Sequence, residues 1–441
     1  MALIKELINK YIRGNEIFSR FVNVFSVDVI VRGANFLLIP VFIALMTQRE
    51  FGNYGYLYSF AMTLSGIINF GFYVAMTKLY SDTTNNKHQQ GSMLFTITTS
   101  LLVLVAISML IVYFTKIDID FFSLLNKNND AGNFYLDYRV YVFIAVLSMI
   151  FTNYLTFFFV SSEQIKKLQA FNLIRFFLAN GTAVIVLYVS PLDAVMLRLA
   201  ITYGAELFLT IVFGSFLFKR FLPVFDLYYL KKAFKLGLPI VSGCLLTAMV
   251  NFGDKFFVMK YAGADTFAVY NLGILFSSIL LIVYQSFNFV WLPLFLKEKD
   301  LTVLKRKTKR YTLIIITGLS ALGLLVWLGT YFALVWGIIK INYYDVLYIL
   351  PVLIVAQIFG TLIGLFANFT TYFEKTHIQL FVGIILSVIG YFLYSSLVKE
   401  YLIMGASVSL LILNAIGFLF YYTRAGYYIN NRLKGKRELK D

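Results

Sequence analysis

Arg32 stands in the middle of an otherwise apolar stretch, residues 22–46, and further cations stand in similar stretches: Arg175, Arg198 and, nearer a stretch end, Lys255. A charge at the centre of a membrane helix costs roughly 2.5–3.5 kcal/mol on insertion scales, so such side chains face a protein interior or a water-filled cavity. Cations placed there, with few acids to answer them, suit an anionic substrate.

The spacing groups these residues into stripes. Asp28, Arg32 and Asn35 are four and three apart, which puts all three on one helical face. Two readings stay open: Asp28 neutralises Arg32 within the helix, or the face lines a cavity where Arg32 and Asn35 hold substrate and Asp28 tunes or gates them. Asn172 and Arg175 share a second face, with Arg175 too deep to snorkel easily. Arg198, Thr202 and Glu206 form a third; Arg198 and Glu206 are roughly 12 Å apart along the axis, so they do not pair directly. Glu206 is the most deeply placed acid and is the candidate for a proton or Na⁺ site, or else it pairs with a cation on another helix. After Pro239 come Asn251, Asp254 and Lys255. Lys255 either meets substrate or snorkels to the interface. Asp254 is turned about 100° from it around the helix and is expected to serve a different partner, in coupling or gating.

These stripes need apolar helices to carry them, and the composition supplies them. The chain is 60% hydrophobic, 18% aromatic and only 14% charged, and runs of about 20 apolar residues recur from end to end. The pattern predicts an all-α polytopic membrane protein with twelve transmembrane helices, at 22–46, 54–77, 92–115, 139–161, 168–189, 193–218, 236–260, 266–290, 312–339, 346–372, 377–398 and 402–423. Residues 1–21 repeat apolar positions at three- and four-residue spacing between charges and read as an interfacial amphipathic helix. They do not read as a cleavable signal.

The net charge of +16 falls in alternate short connections, where it orients helices and does not call for nucleic acid. Lys78, Lys87, Lys166, Lys167, the clusters at 219–235 and 297–310 and the basic tail at 424–441 lie on one side. Asp118, Asp120, Asp130, Asp137 and Asp265 lie on the other. The reading is a multi-pass membrane protein with both termini on the cytoplasmic side. Residues 219–235, KRFLPVFDLYYLKKAFK, interleave aromatics with lysines and read as a cytoplasmic amphipathic linker lying at the interface. The run Lys305 to Arg310 reads as an anchor on anionic membrane lipids.

The two halves resemble each other. Phe51-Gly52-Asn53-Tyr54 after span one matches Phe267-Ala268-Val269-Tyr270 after span seven, and Phe70-Gly71-Phe72-Tyr73-Val74 matches Phe287-Asn288-Phe289-Val290. Two six-helix bundles, 22–218 and 236–423, related by a parallel pseudo-twofold repeat suit an alternating-access transporter.

Soluble-type chemistry is not expected. The single cysteine, Cys244, allows neither an intrachain disulfide nor a cysteine metal site, and His88 and His377 fall in polar connections. No metal site, cofactor or catalytic residue is assigned. No Gly-rich loop ends in Gly-Lys-Ser/Thr, so ATP coupling has no support. Asp118-Ile119-Asp120 superficially matches the acidic motif of lipid-linked glycosyltransferases, but its connection is too short for a catalytic domain.

Several segments together resemble the oligosaccharide flippases (Wzx-type) of polysaccharide biosynthesis, in the superfamily that also holds multidrug and peptidoglycan-precursor exporters. They are Arg32-Gly33, Gln48-Arg49-Glu50-Phe51-Gly52-Asn53-Tyr54, Asn69-Phe70-Gly71-Phe72, Gly237-Leu238-Pro239, Asn251-Phe252-Gly253-Asp254-Lys255-Phe256, Gly263-Ala264-Asp265-Thr266-Phe267-Ala268-Val269-Tyr270 and Pro293. The resemblance implies two bundles forming a V around a cavity that opens alternately to each side. It implies an undecaprenyl-diphosphate-linked oligosaccharide as substrate, moved from the inner to the outer leaflet, with glycan polymerases as possible partners. Arg32 and Lys255 carry motif support as cavity cations, whereas Arg175 and Arg198 rest on burial. The chain lacks the two further spans of peptidoglycan-precursor flippases, which makes that substrate a poorer fit. The competing readings are a cation-coupled multidrug exporter, which should favour buried acids over cations, and a membrane glycan polymerase or ligase, which should carry a large outer loop.

Overall fold

A backbone surrounded by hydrocarbon must satisfy its own N–H and C=O groups, and this chain does so with helices. A computed structural model describes residues 33–83, 86–125, 130–190, 192–373, 375 and 377–437; side chains at 130–133, 246–247, 289–290, 293 and 432–437 are outside that description. The expected helix at 1–21, and with it Asp28 and Arg32, lies outside the described residues.

Among the described residues there is no strand. Eight helices there are long and apolar enough to cross a membrane, and Gln48–Ile68 with Phe72–Asp82, bent by 46° at their junction, pass the same test as a pair, which as one span would make nine. Gly33–Leu45 is the described part of the span expected at 22–46. Two helices, Leu227–Lys297 and His377–Arg437, far exceed a bilayer's thickness. Each is broken once by a left-handed residue, Gly263 at φ 76° and Leu402 at φ 49°. The breaks fall where the sequence places the turns between spans seven and eight and between spans eleven and twelve, and the stretches on either side are long enough to cross about 30 Å of hydrocarbon.

The bend in span two has a local cause. Phe70 (φ 51°) and Gly71 (φ 65°) are both left-handed, and Asn69 fixes the break. Its side-chain oxygen accepts from Gly71 N at 2.7 Å and its amide donates to Ser65 O at 3.0 Å. A Cβ on Gly71 would lie 2.8 Å from Gly237 Cα, and one on Gly237 would lie 2.0 Å from Phe70 O. The two motifs, Asn69-Phe70-Gly71 and Gly237-Leu238-Pro239, therefore meet backbone to backbone, a closeness that only glycine permits.

The chain divides into two compact units: the described parts of Met1–Leu45, Leu64–Thr115 and Tyr138–Val241, and those of Met46–Thr63, Lys116–Asp137 and Ser242–Asp441. The cut does not follow 219–235, because two segments of the first half pack with the second. Gly52 shows why. A Cβ there would lie 2.0 Å from Ala264 O and 3.2 Å from Ala268 N, and Gln48 Nε2 donates to Asp265 O at 2.8 Å. The matching motifs of the two halves thus pack on each other. Around them Tyr56 meets Phe252, Phe267 and Phe122 at 5.4–5.7 Å between ring centres, and Phe122 stacks on Tyr135 at 3.9 Å. Asp118 is buried here, accepting from Tyr135 OH at 2.9 Å.

The connection at 219–235 is not one helix. Residues 219–226 carry none, as befits Pro223, and Leu227 opens the helix that continues into span seven. Ser92 Oγ donates to Val224 O at 2.8 Å, Asp226 N donates to Thr96 Oγ1 at 3.0 Å, and the Arg220 guanidinium bonds the Tyr80 hydroxyl. Lys305 to Arg310 form the first turns of Leu301–Val335, which is capped by the Asp300 carboxylate.

Candidate substrate-binding site

In the first unit the helix Ile165–Arg175 passes into a six-residue π segment, Phe176–Gly181, before resuming at Thr182–Val189. A π turn is a strained insertion that tends to occur at functional positions. Its polar groups are used locally: the Thr182 hydroxyl bonds back to Leu178 O, and Asn180 Nδ2 bonds to Phe176 O at 3.2 Å. The same Asn180 amide reaches Asn35 Oδ1 at 3.3 Å, which ties span five to span one.

Arg175 stands immediately before the π segment. Its Nε lies 3.9 Å from Glu206 Oε1, beyond hydrogen-bond reach but within ionic contact, and 29% of its side chain is exposed. The guanidinium also sits 5.7 Å from the centre of the Phe171 ring. The other Glu206 oxygen accepts from Ser148 Oγ at 3.3 Å. One turn further, Thr152 and Thr210 share a hydrogen bond of 2.9 Å. Ser148 and Thr152 on span four thus face Glu206 and Thr210 on span six, each pair four residues apart.

Arg198 does not join Glu206, as their axial separation requires. Its guanidinium lies 3.7 Å from the centre of the Phe42 ring, a close cation–π contact between spans six and one. The first unit thus brings Arg175 and Glu206 together between spans five and six, ties Asn35 to Asn180, and holds Arg198 against Phe42 of span one.

In the second unit Lys255 and Asp254 correct the sequence reading. They pair with each other: Lys255 Nζ is 3.1 Å from both Asp254 carboxylate oxygens and 3.1 Å from Asn251 O. Tyr270 OH donates to the same carboxylate at 2.9 Å, and Asp254 is only 2% exposed. Adjacent helical positions diverge by about 100°, but the flexible four-carbon lysine stem curls back to the neighbouring carboxylate, which is buried. Lys255 is thus engaged inside its own helix.

Sequence reasoning missed Ser148, Asn180 and Phe42, and held Tyr270 only as a motif residue. Asn180, an amide in an apolar span beside Gly181, was the one with a signal. Serine and phenylalanine in such helices carry none.

Among the described residues no group of three or more His, Cys, Asp or Glu could hold a metal ion. With this geometry in view, comparison with protein families is decisive. The family model for polysaccharide biosynthesis proteins matches residues 21–299. The chain belongs to that family.

This polysaccharide biosynthesis protein finds no match among curated proteins, but its fold is shared with solved transporters. An inward-facing multidrug resistance MATE family transporter of the MOP superfamily aligns with TM-score 0.68 at 14% identity, over 92% of this chain and 99% of the other. The lipid II flippase MurJ in an inward closed conformation aligns with TM-score 0.62 at 13% identity, over 90% and 87%. A MOP superfamily transporter from Pyrococcus furiosus Vc1, described as having a binding pocket of reverse polarity, aligns with TM-score 0.56 at 13% identity, over 92% and 95%. Identities this low establish fold alone. The polysaccharide biosynthesis protein has the helical membrane fold of these transporters.

Proposed function

We propose that this polysaccharide biosynthesis protein is a flippase. It moves an undecaprenyl-diphosphate-linked oligosaccharide from the inner to the outer leaflet by alternating access, coupled to H⁺ or Na⁺. It works in a bacterial cytoplasmic membrane with both termini inside and beside glycan polymerases. Arg175 carries the reading: a guanidinium in the middle of an apolar span, held only at 3.9 Å by Glu206 and partly exposed, is suited to a diphosphate. Arg32, Arg198 and Asn35 join it as substrate contacts. Lys255 joins them once its internal pair opens, and Asp28, Glu206 and Asp254 act in coupling or gating.

The second reading, a cation-coupled multidrug exporter, is supported by the shared fold of the MATE transporter. It asks for acids free to bind cations, whereas Glu206 and Asp254 each already face a cation of this chain. A glycan polymerase or ligase would need a catalytic acid, and Asp118 is spent on Tyr135.

Deleting the gene and analysing lipid-linked glycans on the inner leaflet tests the proposal. The expected result is accumulation of one complete lipid-linked repeat unit, relieved by the wild-type gene and not by Arg175→Ala. No accumulation would sink it.

A further inference from the structure

A pocket of about 760 Å³ in the first unit lies away from the buried charges. One wall is the end of the Phe72–Asp82 helix with Thr83, another the start of the Lys87–Thr115 helix, and the third the connection from Val224 to Lys232. Its lining comes from the basic connections around 78–88 and 219–235, the side that the proposed function assigns to the cytoplasm.

The walls are fixed, not adventitious. Ser92 and Thr96 hold the connection through Val224 O and Asp226 N. Asp226 Oδ1 accepts from Tyr228 N at 2.8 Å, which sets the turn that presents Tyr228. Tyr228 is 55% exposed, with Lys232 Nζ at 4.5 Å from its ring centre. Only Leu79 and Val224 of the lining are aliphatic.

The chemistry of that lining selects against a diphosphate. Asp82 and Asp226 would repel an anion, and Asp82 is 3.0 Å from Lys78, which stands outside the lining. A neutral polyhydroxylated ligand fits instead: Asp82, Asp226 and Gln89 accept hydroxyl hydrogens, Gln89 and Lys232 donate to ring and hydroxyl oxygens, and a tyrosine offers an apolar face with a polar tip for the C–H face of a pyranose. We infer that this pocket binds sugar residues of the carried glycan on the cytoplasmic face before translocation. The inference rests on the flippase reading for the identity of its ligand. It separates sugar recognition, at the surface, from diphosphate recognition by the buried arginines.

The test uses the full chain in nanodiscs and two probes titrated separately: the oligosaccharide released from its polyprenyl carrier in the expressing cells, and a polyprenyl diphosphate without sugar. The free oligosaccharide should bind, and Tyr228→Ala and Gln89→Leu should each weaken it by about tenfold while leaving the sugar-free diphosphate unaffected. Tyr228→Phe, which keeps the ring, should retain oligosaccharide binding and excludes misfolding as the cause. Oligosaccharide binding that is absent, or equal in wild type and both variants, overturns the inference. If the sugar-free diphosphate binds through Arg175 in that case, the flippase reading survives alone. If the oligosaccharide binds in the pocket and the diphosphate binds nowhere, the pocket survives and the flippase reading fails.

Discussion

Glu206 faces Arg175 at 3.9 Å across two neighbouring helices while its second oxygen accepts from Ser148. The contact is close enough for ionic attraction and too long for a hydrogen bond. Arg175 can therefore exchange Glu206 for another anion without first breaking a bidentate pair. On the proposed function, such an exchange would give the carboxylate a role in each state: neutralising the arginine before substrate binds, and being released when the diphosphate arrives.

Arg175→Ala should abolish glycan export and also destabilise the fold, because it leaves Glu206 without its cation in a low-dielectric seam. Adding Glu206→Ala should restore part of the stability and none of the export. The coupling between the two sites should fall within about 0.5–3 kcal/mol, the range for residues in contact. Thermal unfolding of the single and double variants, with surface polysaccharide as the functional readout, checks both. Additive losses in stability would mean that the pair makes no net contribution.

Asp254 and Lys255 call for a different comparison. Either single replacement, Asp254→Asn or Lys255→Met, leaves one buried charge and should lower stability. Together they should return it close to wild type, since an internal pair replaced by neutral groups of similar size is often neutral or stabilising. If Lys255 meets substrate once the pair opens, the double variant will fold and fail to export. Normal export by the double variant would confine the pair to structure.

Much of this was legible in the sequence, for reasons that can be named. Gly71, Gly237 and Gly263 mark breaks or backbone contacts that only glycine tolerates; the span limits placed the turn between spans seven and eight at Gly263, whereas the bend at Gly71 was not read from the sequence. The repeat of Phe51-Gly52 in Phe267-Ala268 was visible, but not that the two copies pack on each other. Side-chain partners on other helices were less legible. The face carrying Arg175 and Asn172 follows α-helical spacing, and that spacing shows neither the π segment that follows nor the bond from Asn180 to Asn35. Phe42 under Arg198 is one phenylalanine among 46, and no spacing rule singles it out. The Asp254–Lys255 pair went against the rule that adjacent helical residues diverge, because the rule describes Cβ directions and not the reach of a lysine.

Gly52 gives a prediction with an internal control. A Cβ there meets Ala264 O at 2.0 Å, whereas one on Gly66 of the same helix meets nothing within 4 Å. Gly52→Ala should lower the unfolding temperature and Gly52→Leu should prevent folding. Gly66→Ala should be neutral or stabilising by up to about 1 kcal/mol, the helix-propensity difference. Equal effects at the two positions would show that the motif contact does not hold the helices together.

The connection before span nine makes a pH prediction. Glu298 accepts from Lys307 Nζ at 2.8 Å and from Asp300 N at 3.3 Å, and the Lys307 hydrogen bond holds its carboxyl below the ordinary value of 4.5. A carboxylate with a lowered folded pKa stabilises the fold at pH above its unfolded value and loses that contribution as pH falls through the folded one. Amides of residues 300–303 should therefore keep their hydrogen-exchange protection as the pH is lowered to 4.5 and lose it only further down. In Lys307→Ala the folded pKa moves back towards 4.5, so the loss should begin at higher pH. Identical acid profiles in the two proteins would show that the Glu298–Lys307 bond does not order this connection in solution.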